Sequence, residues 1–201
     1  WRHSGARMAK ALISAGIDAV SCASNVSYPW HAVPGGIAAL DKAGIAYAGI
    51  GMTRAKSRRP AIIESNGTRI ALLSYTSVFW PSDHAAEAER PGTATLPART
   101  AYGPGRRALE MPGAPPEVET WVEDDVIEEL QGDIRTAGRQ ADFVLLSCHW
   151  GVSSSPEPVA YQRQIARAAI DAGAALVFGH HPHVLQRIEF HDGKPIFYSL
   201  G

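Results

Sequence analysis

Apolar and polar residues alternate along this chain in blocks whose periods change. Met8, Ala11, Leu12 and Ala15 recur at helical spacing before a Gly, which predicts a helix over 4–16. The run over 17–23 reads as a short strand, followed by a polar and aromatic loop over 24–34. A second short helix is expected over 36–43, closed by Gly44, and then a strand over 45–49. Helix, strand, helix, strand favours a parallel sheet covered by helices.

The middle of the chain changes character. Two β-rich runs, 60–65 and 68–76, flank Asn66-Gly67, a pair suited to a type I′ hairpin because both turn positions need positive φ. The segment 77–116 is rich in Pro and Gly with little periodicity, so it is expected to be a long excursion over the surface. From residue 117, Val118, Trp121, Val122, Val126, Ile127 and Leu130 form one apolar stripe, which predicts an acidic helix over 117–140. The block 142–148 is nearly all apolar, as a central strand covered on both faces should be. A helix over 157–172, a buried strand over 174–178, and strands over 184–190 and 195–200 joined by Asp192-Gly193 complete the pattern.

Composition narrows the class. The 201 residues carry 19 Lys and Arg against 20 Asp and Glu, a net charge of −1. That balance argues against a nucleic-acid partner bound by broad phosphate neutralisation. With 45% hydrophobic and 19% charged residues the chain is a folding one. It contains no apolar run long enough to span a membrane. Cys22 and Cys148 each fall late in an apolar block, the setting of buried free thiols. The ends, Trp1 and Gly201, read as cuts through a longer protein, so no leader is inferred or excluded.

The candidate chemistry follows the two most apolar strands. One leads into His149-Trp150-Gly151, the other into Gly179-His180-His181-Pro182-His183. Ligands of open α/β sheets bind beyond the carboxyl ends of the strands. Pro182 is expected to keep His181 extended, so that His181 and His183, two residues apart, face one point. His149 would supply a third imidazole, and imidazoles suit zinc, iron and related ions. His180 reads as a hydrogen-bonded structural residue. Ser153 to Ser155 lack the strand-turn-helix frame of a nucleophile and read as a wet loop. Asp124, Asp125, Glu128 and Glu129 read as a solvated helix face. Arg54, Lys56, Arg58 and Arg59 form a short basic cluster that could meet a polyanion.

Taken together, His149-Trp150-Gly151, Tyr161-Gln162, Asp171-Ala172-Gly173-Ala174, Gly179-His180-His181-Pro182-His183-Val184 and Tyr198-Ser199-Leu200-Gly201 resemble the CapA-type capsule and poly-γ-glutamate biosynthesis family. Ala15-Gly16-Ile17-Asp18, Ala23-Ser24-Asn25 and the run over 40–51 follow the same order. The resemblance implies an α/β, metallophosphatase-like layered sandwich of two β-sheets flanked by helices, lacking the N-terminal strands. It implies a single domain over 1–201 with a loop-rich insertion at 77–116. It implies that Asn25, His149, His181 and His183 are metal ligands for divalent Mn, Fe or Zn, two ions in the full-length protein. The implied activity is metal-assisted hydrolysis or transfer on a polyanionic polymer or phosphate-bearing substrate. The implied setting is the cell envelope, beside capsule machinery.

The departures bear on mechanism. Val26 stands where the family pattern has a His, and an aliphatic side chain cannot move a proton. His31, five residues on, is the substitute candidate. The family's acidic ligands lie upstream of Trp1, and two ions about 3.5–4 Å apart need anionic bridges. A non-catalytic assembly or export component, and a metallophosphoesterase acting on nucleotide or lipid phosphates, are therefore the alternatives to a capsule hydrolase.

Overall fold

The computed structural model describes residues 5–201. Its elements run α1 (Gly5–Ser14), β1 (Ala19–Ser21), α2 (Val33–Ala43), β2 (Ala46–Ala48), β3 (Ile50–Gly51), α3 (Arg54–Ser57), β4 (Ala61–Ser65) and β5 (Thr68–Thr76). They continue as β6 (Gly92–Thr93), β7 (Ala98–Gly103), β8 (Glu117–Val122), α4 (Asp124–Gly138), β9 (Phe143–His149), α5 (Ala160–Asp171), β10 (Leu176–His180), β11 (Ile188–His191) and β12 (Lys194–Phe197). The start of the first predicted helix, Ser4, lies outside the described residues, as does Trp1.

Both predicted turns form as expected. Asn66 and Gly67 have φ of 51° and 77°, and Asp192 and Gly193 of 49° and 69°. The flanking strands pair antiparallel across them, β4 with β5 and β11 with β12. These hairpins close the two edges of a six-stranded sheet of order β11-β12-β10-β9-β5-β4, whose inner strands β12, β10, β9 and β5 are parallel.

The pleat sorts the sheet's residues onto two faces. Ala71, Leu73 and Tyr75 of β5, Val144, Leu146 and Cys148 of β9, and Val177 of β10 point into the main core. There they meet Leu130 and Ile134 of α4 and Ile165, Ala169 and Ile170 of α5. The opposite face carries Leu72, Leu145 and Phe178, which pack beneath the parallel β1–β2 pair through Ala19, Ala46 and Ala48. Helices α1 and α2 pack on each other and α2 on β2, so helices flank the outside of both sheets. The layered sandwich is therefore present, with a second sheet of only two strands.

Two expectations need correction. The segment 117–122 is not helical: it is β8, paired antiparallel with β7 from Ala98↔Val122 to Gly103↔Glu117. The acidic helix begins at Asp124. The excursion over 77–116 is likewise more ordered than expected, since it contains β6, which pairs with β3, together with β7 and a short 3-10 turn. In the first case pairing with β7 outweighs the helical period; in the second, β3 and β8 recruit a segment with no marked period of its own.

Candidate metal centre at the strand ends

Register across the parallel strands builds the site. On the β1–β2 face the row Leu72, Leu145, Leu176 is apolar. The next row is Ser74, Ser147, Phe178, and the last is Thr76, His149, His180. Polarity thus rises toward the carboxyl ends of β5, β9 and β10. Hydroxyls join the two sheets at the middle row. Ser21 Oγ lies 2.7 Å from Ser74 Oγ, Ser147 donates to Ser21 at 2.8 Å, and the Ala23 N–H donates to Ser74 Oγ at 3.1 Å. Ser147 Oγ also lies 3.4 Å from His180 Nε2.

Beyond that row the imidazoles gather. Ring centroids are 4.6 Å apart for His149 and His181, 5.5 Å for His181 and His183, and 5.1 Å for His149 and His180. The convergence does not arise as expected, because His181 has φ 103° and His183 φ 59°. Neither is extended, and a tight turn rather than a two-residue alternation brings the rings together. The loop after β9 holds that turn, with Ser154 N–H donating to Pro182 O at 2.7 Å and Ser153 Oγ standing 3.4 Å from His181 Nε2. His180, read from sequence as structural, belongs to the cluster; its place on the face of His149 comes from the register of β10 against β9.

Trp150 explains the spacing of the two motifs. Its indole is fully buried and donates to Tyr198 O at 2.8 Å, while its backbone N–H donates to His180 O at 3.0 Å. The indole crosses directly over Gly179, where a Cβ would approach Trp150 Nε1 and Tyr198 O within 3.0 Å. Gly179 is thus required by close approach rather than by turn geometry. Gly151 N–H donates to Tyr161 OH at 2.5 Å, and Gln162 donates to Gln186 at 3.0 Å, tying α5 to the same corner.

Electrostatics favour neutral rings at His149, His180 and His181. Burial, then the neighbouring His180, His181 and His183, push the His149 imidazole down to about 3. Burial lowers His180 and His181 as well, each also repelled by the next imidazole. Neutral imidazole is the form that binds a metal ion. His181 Nδ1 is moreover buried with no hydrogen-bond partner. Buried polar atoms are rarely left so, and a cation would complete this one. Against this, among the described residues no group of three or more His, Cys, Asp and Glu stands in metal-holding geometry. The donors thus fit one cation in chemistry, with ring rotation needed to close on it. They lack the carboxylate that a pair of ions would require.

The remaining candidates separate. Asn25 follows the Ser74-anchored residue Ala23 at the same rim, and no described bond joins its side chain to the imidazoles. Val26 is 81% exposed. His31 is exposed on the 3-10 turn Trp30–Ala32, its ring edge-on to Trp30 at 5.7 Å, away from any described contact with the cluster. His84, unforeseen from sequence, is fully buried. It accepts from Trp80 N–H at Nδ1 (3.1 Å), so its Nε2–H donates to Ser24 O (3.0 Å). It pins the segment after β5 onto the loop carrying Asn25. Both cysteines are free, and burial pushes Cys22 up to about 11 and Cys148 higher still. The basic cluster is partly neutralised, with Arg54 paired to Glu129 at 2.6 Å and Arg58 to Asp133 at 2.7 Å. Glu129, expected on a solvated face, is thereby engaged. These groups line a cavity of about 550 Å³ that includes none of the imidazoles.

The model of the bacterial capsule synthesis protein family PGA_cap matches residues 2–201. The chain belongs to that family. It is 28% identical over 194 residues to the capsule biosynthesis protein CapA of Bacillus anthracis, covering 96% of this chain and 41% of that protein. It is 52% identical over 68 residues to the PGA biosynthesis protein CapA of Bacillus subtilis strain 168, covering 34% of this chain and 18% of that one. The chain thus spans less than half the length of these curated relatives. Among solved structures, a candidate 5′-nucleotidase from Staphylococcus aureus in complex with alpha-ketoglutarate superposes with a TM-score of 0.53 at 11% identity. The match covers 97% of this chain and 34% of that one. The PGA_cap chain therefore has the metallophosphatase-type fold.

Proposed function

We propose that this chain is the imidazole-bearing part of a metal-dependent hydrolase or transferase acting on a phosphate or amide group in capsule polymer synthesis. The observation that carries the reading is the convergence of His149, His181 and His183 at the carboxyl edge of the sheet, with His149 buried and held neutral and His181 carrying an orphaned nitrogen. His149, His181 and His183 would hold the divalent cation, with Asn25 completing the set as the family resemblance implies. When bound, such an ion polarises the scissile group and lowers the pKa of a water. The chain's own part is to hold that cation in a frame stiffened by Trp150, Ser147 and the turn at Pro182. Val26 offers no proton, and His31 would take that role only with its loop folded back toward the cluster, since it is exposed beside Trp30. The substrate is a polyanionic polymer or a phosphate-bearing precursor, handled at the cell envelope with the capsule machinery. Among the described residues no helix is long and apolar enough to cross a membrane.

A second reading, a non-catalytic assembly component, is favoured by one feature: an aliphatic, 81% exposed Val26 at the family's His position. Metal analysis of the full-length natural protein, with turnover of a generic phosphodiester, separates the two. Bound metal with turnover that vanishes in His181→Ala supports the enzyme. A stable, metal-free protein without turnover sinks it in favour of the assembly role. Parallel assays with nucleotide and phospholipid phosphates sort the substrate classes.

A further inference from the structure

Thr76 ends β5 directly opposite His149 in the register of β5 against β9, and is fully buried. Its hydroxyl has four polar neighbours and one hydrogen. Val78 O stands 2.8 Å away, His149 O 3.2 Å, the Val78 N–H 3.1 Å and His149 Nδ1 3.1 Å. His149 O already receives the Ser77 N–H at 2.9 Å. The shortest acceptor, Val78 O, therefore takes the Thr76 proton, and the Val78 N–H donates into one lone pair of Oγ1. What remains to face His149 Nδ1 is the other lone pair, so that nitrogen must be the one carrying hydrogen.

We infer that Thr76 is a positioning residue that fixes His149 as the Nδ1–H tautomer and leaves the Nε2 lone pair bare for a cation. A ligating imidazole commonly donates its other N–H to an acceptor that sets ring orientation and basicity. Here the acceptor is a threonine hydroxyl, itself oriented by the backbone of residue 78. The same contact links the site to the segment after β5, because that backbone leads within a few residues to Trp80 and His84 over the Asn25 loop. The purpose of the device rests on the metal reading above; its existence does not.

The test uses the full-length protein labelled with ¹⁵N at histidine. In the metal-free wild type at neutral pH, long-range ¹H–¹⁵N correlation should show a protonated Nδ1 and a bare Nε2 for His149. A protonated Nε2, or an averaged pair, overturns the inference without any mutation. Titration with Co²⁺, followed by visible absorption, should give a roughly 10- to 100-fold weaker affinity in Thr76→Val, with Thr76→Ser restoring it. Unchanged Co²⁺ affinity in Thr76→Val overturns the inference as well. Wild type that takes up no Co²⁺ sinks the metal reading, while the tautomer measurement still decides the role of Thr76.

Discussion

Replacing Gly179 by Ala adds one methyl at the point where the two histidine motifs cross. That Cβ would lie within 3.0 Å of Trp150 Nε1 and Cε2 and of Tyr198 O. Neither neighbour can retreat cheaply: Tyr198 O is backbone, and the Trp150 indole is fully buried. Overpacking of this kind costs about 1–3 kcal/mol. Moving the indole also breaks its 2.8 Å bond to Tyr198 O, and stranding a buried donor and acceptor costs about 1–3 kcal/mol more. The sum, roughly 2–6 kcal/mol, is a large share of the ~5–15 kcal/mol that holds a domain folded. For a chain of this size it lowers Tm by about 4–24 °C. Urea unfolding followed by Trp fluorescence and far-UV circular dichroism measures it, and Gly132→Ala in the same experiment is the comparison. Gly132 lies inside α4 with nothing within 4 Å of a new Cβ. That variant should gain about 0.5–1 kcal/mol. A Gly179→Ala protein within about 1 kcal/mol of wild type would refute the account of why this glycine precedes His180.

Two further outcomes follow from the charges. Asp133 accepts from Arg58 Nε at 2.8 Å and Tyr75 OH at 2.6 Å, and Arg58 is only 8% exposed. Asp133→Asn should therefore destabilise by about 3 kcal/mol, read by urea unfolding, because it leaves a buried guanidinium short of its counter-charge. An effect below about 0.5 kcal/mol would mean the pair is solvent-screened. Stability should also depend on pH through His149. Its folded value, about 3, lies below the ordinary 6.5, so the unfolded chain binds the extra proton between those values. Stability is then full above about pH 6.5 and falls as pH drops toward 3, with His180 and His181 contributing in the same direction. Each pH unit across that window is worth about 1.4 kcal/mol at most, so the total is on the order of a few kcal/mol. Unfolding curves at about pH 7 and pH 4.5, one above the window and one inside it, should diverge less in His149→Gln than in wild type. Equal divergence would show that the dependence comes from elsewhere.

Local sequence alone determined the parts of this protein whose cause is local. The two type I′ hairpins follow from Asn66-Gly67 and Asp192-Gly193, since no other residues take two successive positive φ values so easily. The central strands follow from the nearly all-apolar run before His149, and the location of the imidazoles follows from being next in the chain after buried parallel strands. Only tertiary structure decided the rest. The stripe through Val118, Trp121 and Val122 fits a helical period, but β7 lies some way upstream and claims those residues as a strand. His180 joins the imidazoles, and Thr76 faces His149, because β5, β9 and β10 are in one register, a relation between segments far apart in the chain. The turn at His181 and His183 takes positive φ that Pro182 alone would not suggest, held by the Ser154 bond from another loop. Periodicity records what one segment prefers; pairing and close packing between segments settle which preference survives.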